Sequence, residues 1–331
     1  MRNQPPQAGE SNEAVLARFT SPSVETRTSI AVIADPHVSS RAEGTAMVYH
    51  RSGERLRTAL ADAEARSVDA ILSAGDLTKD GALWEYEHLD DILAELETPF
   101  VSVPGNHDVP KASTKTYAHG DDHETPPIER FERNYTPGGE FPFVVDVGDL
   151  NIIGLNTASM PDGSLTETHD GQVSTAHVEW LDSTLQEVET PVVLMHHNTP
   201  AMFDQFATLR EQSHPEMSDP PVLRDPQPLL NVLTDHEVPL VVTGHLHNLG
   251  VAETGPVREV TTPATGSFPQ SYLLFEFDAS GTTVRYVPVA GTTGNTEAHH
   301  LRRSSGPRGE GYAAFASIRL ASLPLLDEQG D

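Results

Sequence analysis

Five short clusters of acids, amides and imidazoles recur along the chain, each at the end of an apolar run: Asp35-Pro36-His37, Gly75-Asp76, Gly105-Asn106-His107-Asp108, His196-His197 and Gly244-His245-Leu246-His247. By chemical type their side chains are metal ligands. Asp35 and His37 stand two apart, so one turn can aim both at a single ion. Asp76 follows Gly75, whose missing side chain lets the backbone turn tightly, and a carboxylate has two oxygens with which to bridge two ions. Asn106 offers a neutral carbonyl oxygen, while His196, His245 and His247 offer imidazole nitrogens. Hard oxygens mixed with imidazoles, without sulfur, suit Mn, Fe or Zn better than Ca or Cu(I). The predicted cofactor is a pair of divalent or trivalent metal ions.

Taken singly, a D-x-H or H-x-H is more often a surface or capping arrangement than a metal site. The weight lies in where the clusters fall. Residues 30–34 form a short apolar run of buried-strand type, and residues 54–65 carry Leu56, Leu60 and Ala63 at helical spacing. Residues 69–73 read as strand, 88–96 as helix and 100–103 as strand. This β-α-β-α-β order implies parallel strands with helices on the sheet faces, and the loops at the carboxyl ends of such strands build ligand sites. Gly148-Asp149 marks a hairpin between strands at 143–147 and 152–155. Helices at 178–188 and 227–236 precede strands at 192–195 and 239–242, and further strands are expected at 257–261, 272–277 and 284–289. Residues 109–140, rich in Pro, Gly and charge, read as long loops with one helix near 128–133.

The organisation expected is a polar, loosely attached leader at 1–27, a catalytic domain at 28–290, and a linker with a C-terminal helical appendage at 291–331. In the appendage, Tyr312, Phe315, Ala316, Arg319 and Leu323 lie on one helical stripe. A chain of 331 residues, 37% hydrophobic, can bury a sizeable core. It has no cysteine, which excludes disulfides, thiolate metal sites and thiol catalysis. Residues 1–10 lack the pattern of a secretion signal, and no segment approaches the ~18 uninterrupted apolar residues of a membrane span. A soluble, cytoplasmic protein is expected. Acidic residues number 49 against 21 basic ones, for a net charge of −28, and the only lysines are Lys79, Lys111 and Lys115. Such a field repels polyanions, which argues against long nucleic acid as a partner. The acidic, lysine-poor composition also predicts a halophilic protein, whose self-repulsion high salt screens.

The ordered series D-x-H, G-D, G-N-H-D, H and G-H-x-H resembles the calcineurin-like metallophosphoesterase superfamily. The run from Gly75 through Asp80-Gly81 with Glu85-Tyr86, and Val103-Pro104-Gly105-Asn106-His107-Asp108, resemble its branch of class III cyclic-nucleotide phosphodiesterases. The similarity covers about residues 30–289. It implies an α/β fold, a four-layer α-β-β-α sandwich of two mixed sheets with two metals at the sheet edges. It assigns Asp35, His37, Asp76 and His247 to one metal, and Asp76, Asn106, His196 and His245 to the other. His107 is implied as the group that protonates the leaving alkoxide or binds a phosphate oxygen. Two metals ~3.5–4 Å apart clamp phosphate oxygens and activate a bridging water. The function so implied is hydrolysis of a small phosphodiester. The alternatives are a phosphomonoesterase or nucleotide pyrophosphatase on the same fold, or a scaffold without catalysis, which the full set of ligand residues argues against.

Other polar residues divide from this set. Asp108 either orients His107 or serves as a capping or loop carboxylate. His197 reads as a neutral histidine satisfied by a backbone partner, and His299-His300 as solvated. His50, His119, His123, His169 and His214 belong to no constellation. Asn198-Thr199-Pro200 follows the histidine pair where the resembled branch carries proline sooner, a departure that concerns the substrate pocket. Specificity is expected to reside in the loops at 109–140 and 199–224.

Overall fold

The computed structural model describes residues 13–110, 123–160 and 169–330. Its strands are short apolar runs broken by turns: β1 (Ala14–Phe19), β2 (Thr28–Ile33), β3 (Ala70–Ser73), β4 (Phe100–Ser102), β5 (Phe143–Val147), β6 (Leu150–Gly154), β7 (Pro191–Leu194), β8 (Leu240–Thr243), β9 (Gly250–Thr254), β10 (Val257–Thr261), β11 (Ser271–Asp278), β12 (Gly281–Pro288) and β13 (Leu326–Asp327). Between them lie helices α1 (Ser52–Ala65), α2 (Leu83–Leu93), α3 (Ile128–Tyr135), α4 (Thr175–Thr184), α5 (Pro200–Ser213), α6 (Gln227–Asp235), α7 (Thr292–Ser304) and α8 (Pro307–Ala321).

The strands form two mixed sheets, ordered β13-β1-β12-β11-β2-β3-β4 and β5-β6-β7-β8-β10-β9. Pairing is parallel through β2, β3 and β4 in the first and through β6, β7, β8 and β10 in the second. Side-chain alternation explains the layering. Ile30, Val32 and Leu72 of the first sheet meet Val192, Leu194, Leu240 and Val242 of the second in one central core. The alternate residues face outward: Ala31, Ile33 and Ile71 pack under α1, α2 and α3, and Ile153, Val193 and Val241 pack under α4 and α6. The result is the expected four-layer α-β-β-α sandwich. Both faces of each sheet are buried, so its central strands read as continuous apolar runs. No helix among the described residues is long and apolar enough to cross a membrane.

Several local expectations are corrected. The stretch taken as a loose leader contains β1, whose Leu16, Ala17 and Phe19 are fully buried. It pairs antiparallel with β12 and parallel with β13, so partners distant in sequence order a segment whose own flanks are polar. Within 291–331, the part expected as a linker ahead of the appendage is instead helix α7, which packs on α8. Within 199–224, expected as loop, Pro200 opens α5 at a first-turn position that tolerates a missing N–H, and Met202, Phe203, Phe206 and Leu209 bury its inner face. Helix α2 starts five residues ahead of expectation. The Glu85 carboxylate accepts from the Asp80 N–H at 2.8 Å and the Ala82 N–H at 3.3 Å, satisfying donors that a helix start leaves unpaired.

If β1 is integral to the core, Phe19→Ala destabilises the protein by about 3–5 kcal/mol, the usual cost of deleting a buried ring. Urea denaturation checks this, and a change near zero would return residues 14–19 to the status of a loose leader.

Candidate metal centre

All five clusters leave the carboxyl ends of parallel strands. Asp35 and His37 follow β2, Asp76 follows β3, Asn106 and His107 follow β4, His196 follows β7, and His245 and His247 follow β8. The two sheets face each other, so these exits converge. The backbone is forced to do unusual things there. Nine non-glycine residues among those described have positive φ, and five of them are Asp35 (49°), His37 (45°), Asp76 (52°), His245 (66°) and His247 (49°). Left-handed backbone at such residues is strained and persists where surrounding structure over-determines it, commonly at functional sites. Gly75 has φ 93°, and a Cβ there would lie 2.6 Å from the Gly105 nitrogen and 2.8 Å from His196 Nδ1. Only glycine fits that approach.

Ligand atoms of Asp35, His37, Asp76 and His247 lie within 4.8 Å of one another. His37 Nε2 is 3.0 Å from His247 Nε2, and His247 Nε2 is 3.2 Å from Asp35 Oδ1. Beside this group stands a second. His196 Nε2 is 3.2 Å from His245 Nδ1 and 3.3 Å from Asn106 Oδ1. Oδ2 of Asp76 faces both groups, 3.5 Å from His37 Nε2 and 3.4 Å from His196 Nε2. Its other oxygen accepts from the His107 N–H at 2.8 Å, which fixes the carboxylate's orientation.

The donor set fits metal ions. His196 Nδ1 donates to the Ala74 carbonyl at 2.6 Å, so Nε2 is the nitrogen turned to the cluster and carries the lone pair when the ring is neutral. That lone pair meets two acceptor oxygens, from Asp76 and Asn106, and an imidazole nitrogen of His245. Asn106 Nδ2 is engaged with His169 Nδ1 at 3.1 Å, which turns Oδ1 inward. Convergent acceptors without intervening protons repel one another unless a cation lies between them. Burial drives His37 and His245 well below the ordinary imidazole range, against the pull of Asp76, and neutral imidazole is the ligating form. For His196, burial opposes the charge but Asp76 overcomes it, pushing the ring up to about 9, while Asp76 is held well below the usual carboxylate range. In this pair a proton takes the place that a metal cation would occupy.

His107 is half-buried, its ring 4.7 Å from the His37 ring. Its Nδ1 donates to the Lys79 carbonyl oxygen, and Asp80 Oδ1 lies 3.8 Å away. Burial pushes the Asp80 carboxyl up, but the neighbouring His107 and Lys79 side chains outweigh it and hold the group well below its ordinary range.

The neighbours sort as follows. Asp108 does not orient the His107 ring: its carboxylate accepts from the backbone N–H groups of Leu77, Thr78 and Gly105 at 3.0, 2.8 and 3.0 Å and from Thr78 Oγ1 at 2.9 Å. Burial and the Asp76 charge push Asp108 up to about 6 against those donors. His197 is close to His196 and His245, yet both its nitrogens are engaged, Nδ1 with Thr157 Oγ1 at 2.8 Å and Nε2 with the His169 carbonyl at 3.2 Å. Burial keeps it neutral, as expected from sequence. Asn198 Nδ2 and Thr199 bind Glu259, which is fully buried on β10 and also accepts from Thr243 Oγ1 at 2.8 Å. Burial raises the Glu259 carboxyl, opposed by those bonds. His169, given no role from sequence, backs Asn106 and lies 5.8 Å from the His107 ring; no spacing in its polar surroundings announces it. His119 falls outside the described residues.

Comparison with known proteins agrees with this architecture. Residues 28–249 match the calcineurin-like phosphoesterase family, and the chain belongs to that family. A probable cyclic nucleotide phosphodiesterase of Synechococcus sp. is 28% identical over 205 residues, covering 60% of this chain and 66% of that protein. The 3′,5′-cyclic adenosine monophosphate phosphodiesterase CpdA of Pseudomonas aeruginosa is 25% identical over 203 residues, covering 60% and 61%. The matches thus span less than two thirds of these relatives' own length. A dimetal phosphatase from Danio rerio superposes with a TM-score of 0.57 at 14% identity, covering 80% of this chain and 96% of that one, which shows the common fold.

Proposed function

We propose that the protein is a dinuclear metal-dependent phosphohydrolase that cleaves small phosphodiesters. The observation that carries this reading is the position of Asp76 Oδ2 between two groups of imidazole and oxygen ligands. In it, Asp35, His37, Asp76 and His247 hold one ion, and Asp76, Asn106, His196 and His245 hold the other. Two bound ions, Mn, Fe or Zn by the donor set, would draw electron density from phosphoryl oxygens and make water acidic enough to attack phosphorus. The protein's own part is orientation. The His107 N–H bond to Asp76 aligns the shared carboxylate. The Lys79 carbonyl holds the His107 Nδ1–H, so that, when the ring is doubly protonated, its Nε2–H would pass a proton to the oxygen that departs as the P–O bond breaks.

Substrate class follows from charge and from relatives. A net charge of −28 disfavours long polyanions, and relatives are named as cyclic nucleotide phosphodiesterases. The same charge supports a halophilic origin. It repels itself until screened to a Debye length of ~3 Å near 1 M salt, so the melting temperature rises between low salt and about 2 M KCl. An unchanged melting temperature removes the halophilic reading.

Chelation abolishes activity in this reading and Mn²⁺ restores it. Asp76→Ala loses both ions, His37→Ala loses one, and His107→Ala keeps both while the rate falls ~10²–10⁴-fold. Metal analysis and kinetics together check this; full activity in chelator, or loss of metal in His107→Ala, contradicts it. With metal and salt held constant, kcat/KM is expected to be higher for a bis-aryl phosphate than for the matching mono-aryl phosphate, with some hydrolysis of cyclic nucleotides. The reverse order favours a phosphomonoesterase.

A further inference from the structure

The loop that carries His245 and His247 is gripped by a part of the chain beyond residue 249, where the family match ends. Arg302 on α7 is only 3% exposed. Each hydrogen bond described for its guanidinium ends on a backbone carbonyl: Nη1 on His247 at 2.6 Å and on Phe268, and Nη2 on Leu246 at 3.3 Å. Two further contacts reach the same loop from α8. Asn248 Nδ2 donates to the Tyr312 carbonyl at 3.2 Å. Leu246, between the two histidines, is buried in a cluster with Phe206, Met217, Tyr312 and Phe315. The Arg302 guanidinium itself sits 5.3 Å from the centre of the Tyr312 ring.

The chemistry of this arrangement is specific to the loop. His245 and His247 both have left-handed backbone, which relaxes unless neighbours hold it. A planar guanidinium presents its donors in a rigid fork, and here the fork spans the carbonyls of two consecutive residues, fixing the two peptide planes that flank His247. Burying an arginine is costly unless its donors are satisfied, and the loop carbonyls satisfy them. We propose that Arg302 is a positioning residue for the metal centre, holding the peptides on either side of His247 so that its ring meets Asp35 and His37, and that helices α7 and α8 form the brace that delivers it. This rests on the metal-centre reading above.

The test is calorimetric titration of metal-free full-length chain with Mn²⁺. Wild type is compared with Arg302→Met, Arg302→Lys, Asn248→Ala and a control at the exposed neighbour, Arg303→Ala. Partners that orient metal ligands are typically worth 10–100-fold in affinity. Arg302→Met is therefore expected to weaken one of two sites by about tenfold or more, while the other site and the Arg303→Ala control stay at wild-type values. Arg302→Lys recovers part of the loss, and the absorption spectrum of the Co²⁺-loaded protein changes in the Arg302 and Asn248 variants but not in Arg303→Ala. Should Arg302→Met fail to fold, Arg302→Lys and Asn248→Ala decide, each weakening the same single site. Wild-type affinity at both sites in the variants overturns the brace, as does equal weakening of both sites. A wild-type chain that binds no Mn²⁺ overturns instead the metal-centre reading on which the brace depends.

Discussion

Convergence of acceptor atoms is the constraint on which the structure turns. Nitrogens of His37 and His247 stand 3.0 Å apart, and those of His196 and His245 3.2 Å apart, with one Asp76 oxygen facing both pairs. In a buried site such a collection of acceptors is unfavourable without positive charge, because burial removes the solvation of the lone pairs. Folding to this geometry is therefore coupled to what fills it. The five left-handed residues are the backbone expression of the same cost. Each sits where a strand must end abruptly and turn its next side chain back across the gap between the sheets.

Parallel strands explain why the site was legible from sequence. Ligands carried on neighbouring parallel strands leave at the same sheet edge, so D-x-H, G-D, G-N-H-D, H-H and G-H-x-H, each after an apolar run, imply convergence before any contact is known. The strands of the central sheets were readable for a related reason. Buried on both faces, they appear as continuous apolar runs such as residues 30–34 and 240–242.

What escaped was decided by distant partners. β1 gains its order from β12 and β13, which lie at the other end of the chain. α7 has a sequence of Thr, Gly, Asn, His and Arg that by propensity suggests a linker, yet Ala298 and Arg302 are buried against the rest of the fold. α5 was hidden because Pro200 and the polar residues after Leu209 dominate its local signal. His169 and Arg302 stand in no motif, and their roles come from what they touch across the fold.

Beyond the candidate ligands, three buried charged groups share one mechanical task. Asp108 collects N–H groups from Leu77, Thr78 and Gly105, locking the loop after β3 to the loop after β4 and so Asp76 to Asn106. Glu259 collects Asn198, Thr199 and Thr243, locking the exit of β7 to the exit of β8 and so His196 to His245. Arg302 holds the carbonyls of Leu246 and His247. Each is expensive to desolvate, so none adds stability cheaply. What each supplies is a geometry that apolar packing cannot specify, since a buried charge with several directional partners has few alternative arrangements. Asn198 and Thr199, which stand where the resembled branch carries proline, fit this account. A proline would stiffen the loop through its own ring, whereas here the stiffness comes from hydrogen bonds to a carboxylate on the neighbouring strand. The centre is thus held by cross-links between loops, and its precision resides in residues that never reach the ligand cluster.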